Sequence, residues 1–348
     1  MQRKVLGCGK ITSGKSDLLS ICIPTYNHAG PLTKCLEALI PQATEYNIPI
    51  YVSDNASTDN TSEVLKAFEK TYPFLYFRIQ NRNLGVDHNM VNAARMASTR
   101  YVWTFGGRRI LLPGMLDKIY EILKESDWDL LVLNDLNSTF MVPESKKYNS
   151  AENVFKELNR NLTGLGFQIL PLEAWKSETV QKYEGTEWTV FGLTLEYIAS
   201  KQKLKVFFLS NPCATSSGDN HWKSKSFQIW ANWKKVVYSL PKTYSDDDKE
   251  RVIRKSVDYF FGEHKFNLMH LRSKHIYNSN IFNAFREDLM RYGNLSPTAA
   301  YVISRFPVAP LKLYYSVYHV LRAFARKFIH QKAPLNPATR RVRRISYA

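Results

Sequence analysis

Apolar positions in the first part of the chain fall in short continuous runs, each followed by a stretch with helical spacing. Leu18–Pro24 (LLSICIP) predicts a buried strand closed by proline, and a helix is predicted over Pro31–Leu39. A second strand, Ile48–Ser53, ends at Asp54, and Ser57, Thr58 and Asp59 then cap a helix carrying Val64, Leu65 and Phe68 on one face. A third strand, Phe74–Ile79, leads into NRNLG. Helix Asp87–Ala97, strand Tyr101–Phe105, helix Pro113–Lys124 and strand Leu130–Asn134 continue the alternation. Strands separated by helices of about ten residues predict a mostly parallel α/β sheet that binds its ligand at the carboxyl ends of its strands.

After Asn137 the alternation becomes irregular, with one more strand predicted at Lys205–Ser210, and from Ser245 onward the pattern is nearly all helical. Proline and turn residues in SLPKTYS place a boundary near Tyr238–Tyr244. The predicted organisation is a flexible segment over 1–17, an α/β domain over 18–240 with halves 18–137 and 138–240, and a helical region over 241–348.

Composition narrows the class. The 348 residues are 44% hydrophobic and 13% aromatic, which excludes disordered and disulfide-scaffold classes and suits an enzyme-sized globular protein. Cys8, Cys22, Cys35 and Cys213 have neither CxxC spacing nor histidine neighbours, so reduced thiols in a cytosol are expected. The amino terminus has no apolar signal core, and no stretch reaches the roughly 18 apolar residues of a membrane span, so a soluble or peripheral protein is expected. The net charge of +17 is uneven: Leu289–Ala348 holds eleven Lys and Arg residues and no Asp or Glu. Such a basic end suits an anionic surface.

Gly9-Lys10-Ile11-Thr12-Ser13-Gly14-Lys15-Ser16 matches the G-x4-G-K-[ST] pattern of P-loop nucleotide hydrolases. That motif needs a helix after it to meet the phosphates, and LLSICIP follows instead. A chance match in a polar segment is the reading adopted, with a P-loop hydrolase kept as an alternative.

Three loops fall at successive strand ends: Pro24-Thr25-Tyr26-Asn27, Asp54-Asn55-Ala56-Ser57-Thr58-Asp59 and Asn83-Leu84-Gly85. A ring, a carboxylate and amides around one crevice can stack on a base, accept its imide proton and bond a ribose, while Gly85 admits close backbone approach. Each loop alone is ordinary turn chemistry. In this order, LLSICIPTYNHAGPLTKCLEAL, VSDNASTDNT and NRNLGVDHN resemble the amino half of a family 2 glycosyltransferase of GT-A fold, best over Leu18–Asn134. The WxFG segment before ILLPG is similar to the branch holding abequosyltransferase-like proteins of surface-polysaccharide synthesis. The resemblance implies that Thr25, Tyr26, Asn27, Asp54, Asn55 and Asn83 hold the nucleoside of a pyrimidine donor, a UDP-, TDP- or CDP-sugar.

One departure changes the expected chemistry. Where that family places an acidic DxD-type cluster for Mg or Mn, this chain has Gly106-Gly107-Arg108-Arg109. Carboxylates ligate a divalent cation, whereas guanidiniums repel it and pair with phosphate oxygens. Either Arg108 and Arg109 replace the metal as leaving-group stabilisers, or catalysis is lost and the fold serves binding in a glycan-assembly complex. The first is favoured, and no metal or other cofactor is expected. The bland reading leaves both arginines in solvent or paired to Asp54 or Asp87.

Inverting transfer also needs a general base for the acceptor hydroxyl. Glu187, in Glu184-Gly185-Thr186-Glu187-Trp188, lies where the family on a loose alignment brings acceptor-side residues. Asp219 and His221, in a loop resembling its GN-x-W segment, are the other candidates, and Trp188 and Trp222 are candidate sugar platforms, with core packing the more common use of Trp. Asp246-Asp247-Asp248 follows Ser245 and reads as helix capping rather than a metal site. Leu311–His330 separates a basic side from a broad apolar one, as an interfacial membrane helix does. Packing of that helix on the domain is its bland counterpart, and no nucleic-acid motif accompanies the charge. The sequence reading is an inverting glycosyltransferase, cytoplasmic and peripheral on the inner face of the cell membrane, acting on a lipid-linked or surface-glycan acceptor.

Overall fold

The computed structural model describes residues 14–136, 142–216, 224–261, 265–292 and 296–317. They form two compact units, one drawn from Met1–Lys223 with Gln228–Ile253 and the other from Ser224–Phe227 with Arg254–Ala348. The first unit therefore extends past the turn at Tyr238–Tyr244. Tyr244 is one reason, since its buried hydroxyl donates to the Leu195 carbonyl at 2.6 Å.

The amino half of the first unit alternates as expected: β1 (Leu19–Thr25), α1 (Ala29–Glu45), β2 (Ile50–Asp54), α2 (Thr61–Glu69), β3 (Leu75–Ile79), α3 (Val86–Arg95), β4 (Tyr101–Thr104), β5 (Arg109–Leu111), α4 (Met115–Glu125) and β6 (Leu130–Asp135). It continues through β7 (Lys146–Tyr148), α5 (Ala151–Leu158), β8 (Gln168–Pro171), α6 (Leu172–Lys176), α7 (Thr179–Tyr183), α8 (Thr189–Ala199), β9 (Val206–Ser216) and α9 (Ser226–Ser239). Then come α10 (Asp246–Phe261), α11 (Lys265–Ser273), α12 (Ser279–Tyr292), α13 (Pro297–Arg305) and helical residues 308–317. The sheet order is β3-β2-β1-β4-β8-β6-β9-β5, with β7 also on β9. Strands β3, β2, β1 and β4 are mutually parallel, whereas β8 runs antiparallel to β4 and β6.

Every residue of β1, β2, β4 and β6 is buried, which is why these strands read as continuous apolar runs rather than alternating ones. Helix α1 continues through Pro41 to Glu45, beyond the expected end at Leu39. Its buried stripe of Leu32, Cys35, Leu36, Leu39 and Ala43 outweighs the missing proline N–H. Strand β9 likewise continues beyond its expected end at Ser210, through Asn211-Pro212 to Ser216. Register shifts opposite Asn134 and Asp135 carry the pairing with β6 through that point, and the Asn134 amide donates to the Ser210 carbonyl at 2.9 Å. The extension gives β9 a second half that pairs with β5, setting Arg109 opposite Ser216.

Gly14-Lys15-Ser16 leads straight into β1, with no helix after it. The Ser16 hydroxyl lies 3.2 Å from that of Tyr120 and the Lys15 ammonium donates to Ser98 Oγ at 3.2 Å, so the described part of the P-loop lookalike is a lead-in to a strand. At the start of α10, Ser245 Oγ accepts from the Asp248 N–H at 3.2 Å and donates to its carboxylate at 2.7 Å, the expected capping. The free thiols of Cys22, Cys35 and Cys213 are buried, and burial pushes Cys35 and Cys213 up to about 12, which makes them inert.

The second unit has its own core, in which buried Tyr277 donates to the Ala300 carbonyl at 3.0 Å and stacks on Phe227 at 5.6 Å. No described helix is long and apolar enough to cross a membrane.

Candidate functional site

Parallel pairing aligns the carboxyl ends of β1, β2 and β3, with Thr25 beside Asp54 and Asp54 beside Ile79. The three predicted loops therefore leave one edge of the sheet. Hydrogen bonds then join them to each other. The Asn27 N–H donates to Ser57 Oγ at 2.8 Å, and Asn27 Oδ1 accepts from the Thr58 N–H at 2.7 Å. Asn27 adopts a left-handed φ of 50°, which asparagine tolerates better than most residues. Asp59 accepts from the Ala29 N–H at 2.9 Å and from Thr61. Burial pushes its carboxyl up, but these donors outweigh that and hold it below the usual carboxylate range.

Asp54 is buried at 1% exposure, and its Oδ1 accepts from both the N–H and the hydroxyl of Ser57. Asn55, also buried, ties the second loop to the third. Its amide donates to Asn83 Oδ1 at 2.8 Å and to the Gly85 carbonyl at 3.1 Å, while its Oδ1 accepts from the Leu84 N–H at 2.8 Å. Gly85 has a φ of 87°, a conformation a side chain would strain. Tyr26 stands 40% exposed at the rim. The buried Thr25 hydroxyl at the end of β1 has no hydrogen-bond partner among the described residues. An unpaired hydroxyl at 3% exposure is costly unless a ligand satisfies it.

Beneath the crevice lies Asn89 of α3, which the sequence reading missed. Its amide donates to the Ser53 carbonyl at 2.9 Å and the Thr25 carbonyl at 3.2 Å, and its Oδ1 accepts from Ser53 Oγ at 2.7 Å. Asn89→Ala should cost about 2 to 3 kcal/mol, because three buried polar groups lose a partner. Urea unfolding measures this, and an unchanged midpoint would show that the bonds contribute nothing net.

The turn Gly106-Gly107-Arg108 joins β4 to β5 on the same edge. A Cβ placed on Gly107 would lie 3.5 Å from the Pro24 carbonyl, so the turn packs directly against the end of β1. Arg108 is half-buried there. Arg109 is 15% exposed and pairs with neither Asp54 nor Asp87 in the contacts described. Its guanidinium forms an ion pair with Asp135 at the end of β6, donates to the Leu165 carbonyl at 2.5 Å and lies 4.2 Å from the Phe167 ring centre. Burial holds its pKa below the usual guanidinium range, with Asp135 opposing that shift. A Cβ on Gly166 would come within 2.8 Å of Arg109 Cδ, so the glycine makes room for this packing.

Among the described residues no group of three or more His, Cys, Asp or Glu side chains could hold a metal ion. The donor set at the end of β4 is cationic, and the adjacent carboxylate of Asp135 is engaged by Arg109. These residues do not fit a divalent cation.

Glu187 is exposed, with a left-handed φ of 67°, in the loop between α7 and α8. The Glu187 N–H donates to Asp87 Oδ2 at 2.6 Å, which brings this loop to the first turn of α3, immediately after Asn83-Leu84-Gly85. His88 and Glu184 add a second link at 3.8 Å. Burial raises the Asp87 carboxyl above its ordinary range, opposed by donors from Glu187, Thr189 and Gly185. Trp188 is buried rather than presented to a sugar. Its indole N–H donates to the Ile229 carbonyl at 2.9 Å and its ring packs 4.7 Å from Trp233. Asp219, His221 and Trp222 lie outside the described residues.

Residues 20–168 match the family model described as "Glycosyl transferase family 2". The chain is 28% identical over 225 residues to abequosyltransferase RfbV of Salmonella typhimurium, covering 58% of this chain and 67% of that one. It is 28% identical over 122 residues to glycosyltransferase GlyG of Streptococcus pneumoniae, covering 35% of this chain and 40% of that protein. In structure it is similar to residues 1–349 of S. aureus TarS in complex with UDP-GlcNAc, with a TM-score of 0.57 at 14% identity over 79% of this chain and 81% of TarS.

Proposed function

We propose, from the premise that this chain carries a family 2 glycosyltransferase domain of GT-A fold and is a glycosyltransferase, that it transfers a sugar with inversion from a pyrimidine nucleoside diphosphate donor. The observation that carries the reading is the hydrogen-bonded edge formed by Thr25, Asn27, Asp54, Asn55 and Asn83, with the Arg108 turn packed beside it. Tyr26 stacks on the base, Asp54 accepts its imide proton, and the unpaired Thr25 hydroxyl meets a polar group of the nucleoside. Pro24 and Gly85 bring backbone close to it.

The roles of the two arginines divide. Arg109 is held by Asp135 and braces the turn from beneath, whereas Arg108, beside the end of β1, pairs with the donor diphosphate and stabilises the charge it gains on leaving. Glu187 takes the acceptor hydroxyl's proton as that oxygen attacks the anomeric carbon from the face opposite the diphosphate. Asp219 and His221 compete for the same role. No metal takes part in this scheme.

The acceptor is a lipid-linked or surface glycan at the cytoplasmic face of a membrane. Support comes from the likeness to an abequosyltransferase and from the second unit, where Leu313 is 68% exposed and Val317 50% exposed beside Lys312 in an acid-free stretch. Substituting Leu313→Asp together with Val317→Asp should weaken binding to phosphatidylserine-containing vesicles about tenfold or more. Equal sedimentation of both proteins with vesicles would remove this contact.

Calorimetry with UDP tests the donor crevice. Losing a charge-assisted bond costs roughly 1.5 to 3 kcal/mol, so Asp54→Ala should bind UDP about ten- to a hundredfold more weakly. Unchanged affinity would take Asp54 out of the site.

A further inference from the structure

Asp87 has no part in the scheme above, yet it is the buried group that connects its two halves, beside the more exposed His88–Glu184 pair. A carboxylate in the first turn of a helix is often no more than a favourable charge at the positive end of the dipole. Asp87 does something else. It is 4% exposed, and its Oδ2 accepts from the N–H of Glu187, a residue 100 positions later in the chain. Gly185 and Thr189, which flank Glu187 in the same span, also favour the charged form of this carboxylate.

That span is otherwise poorly suited to hold its shape. Gly185 has a φ of 85° and Glu187 one of 67°, and the second is a strained value for a glutamate. Such a conformation persists only where surrounding contacts impose it. On its other side Asp87 is joined by one residue to Gly85, whose carbonyl and N–H are fixed by Asn55 and Asn83. The nucleotide loop and the Glu187 loop therefore share a single rigid turn of α3.

We propose that Asp87 is a positioning residue that couples the nucleotide loop Asn83–Gly85 to the acceptor-side loop Glu184–Trp188, so that a bound nucleoside diphosphate fixes the place of Glu187. The inference rests on the nucleotide reading of the crevice. It does not require Asp87 to touch donor or acceptor. Ordering of the first loop stiffens the first turn of α3, and the carboxylate passes that restraint to the backbone of Glu187.

Hydrogen exchange with and without UDP tests this on the full chain. In the wild-type protein UDP should slow exchange at both 83–86 and 184–188, by about threefold or more at each. In Asp87→Ala, which removes the acceptor of the Glu187 N–H, protection at 83–86 should remain and the UDP-dependent protection at 184–188 should vanish. The ratio with and without UDP is the readout, because a general loss of stability raises exchange in both states alike. Asp87→Asn, whose amide oxygen can still accept from the Glu187 N–H but without charge, carries the same measurement if Asp87→Ala does not fold, with a smaller loss expected. UDP-dependent protection of 184–188 that persists in the variants overturns the proposal, and so does a wild-type protein that binds UDP without protecting that loop. Absence of UDP binding to the wild-type protein removes the nucleotide reading first, and this inference with it.

Discussion

Arg108→Ala should lower the transfer rate about a hundred- to a thousandfold, the usual effect of removing one well-placed donor to charge that develops in a transition state. The sugar–phosphate bond breaks with electrons moving onto the diphosphate, so a guanidinium paired with that diphosphate contributes more to the transition state than to the bound donor. Turnover should therefore fall much further than donor affinity. Activity of the wild-type protein should also persist in excess EDTA. An unimpaired Arg108→Ala protein that needs added manganese would show that the metal-dependent scheme operates here despite the cationic turn.

Arg109→Ala should act on a different quantity. Breaking a buried ion pair leaves its partner charged and unsolvated, so the loss is expected to be roughly 3 to 5 kcal/mol of stability. Asp135 is 8% exposed and would be that stranded partner. Arg109 also supports the turn through the Leu165 carbonyl and the Phe167 ring, so the urea midpoint should fall clearly even in the absence of any ligand. The double change Arg109→Met with Asp135→Leu should recover much of that loss, because removing both charges leaves none stranded. If Arg109→Ala instead keeps full stability and loses only turnover, the two arginines share one chemical role, as their adjacency in sequence suggests.

The adjacency shows what a sequence can and cannot display. Gly106-Gly107-Arg108-Arg109 is visibly cationic where the resembling family is acidic, but the partner of Arg109 lies 26 residues away at the end of β6. A signal for Asp135 did exist: it closes the apolar run LLVLN, and strand carboxyl ends are where α/β sheets place functional groups. The strands themselves were readable because β1, β2, β4 and β6 are buried on both faces, which leaves continuous apolar runs. Two expected ends, Leu39 and Ser210, fell short, because packing and a shifted ladder carry the element on through Pro41 and Pro212, a residue type that ordinarily ends it.

The crevice loops were legible as a set because their order along the chain is their order along the sheet edge. Asp87 and Asn89 were not. A helix reading of that segment looks for apolar spacing, and these two residues are buried for the opposite reason, to satisfy backbone groups of Glu187, Thr25 and Ser53. Nothing local to VDHNMVNAA announces partners 36 to 100 residues away.

The central claim is that a donor nucleotide sits at the strand ends with Arg108 in place of a metal, and the binding advantage of UDP over UMP in excess EDTA measures it most directly. A charge-assisted contact to the second phosphate corresponds to about a ten- to a hundredfold preference. The account predicts that preference in the wild-type protein without metal and its near disappearance in Arg108→Ala. Equal affinities for UDP and UMP until manganese is added, with Arg108→Ala behaving as wild type, would contradict it.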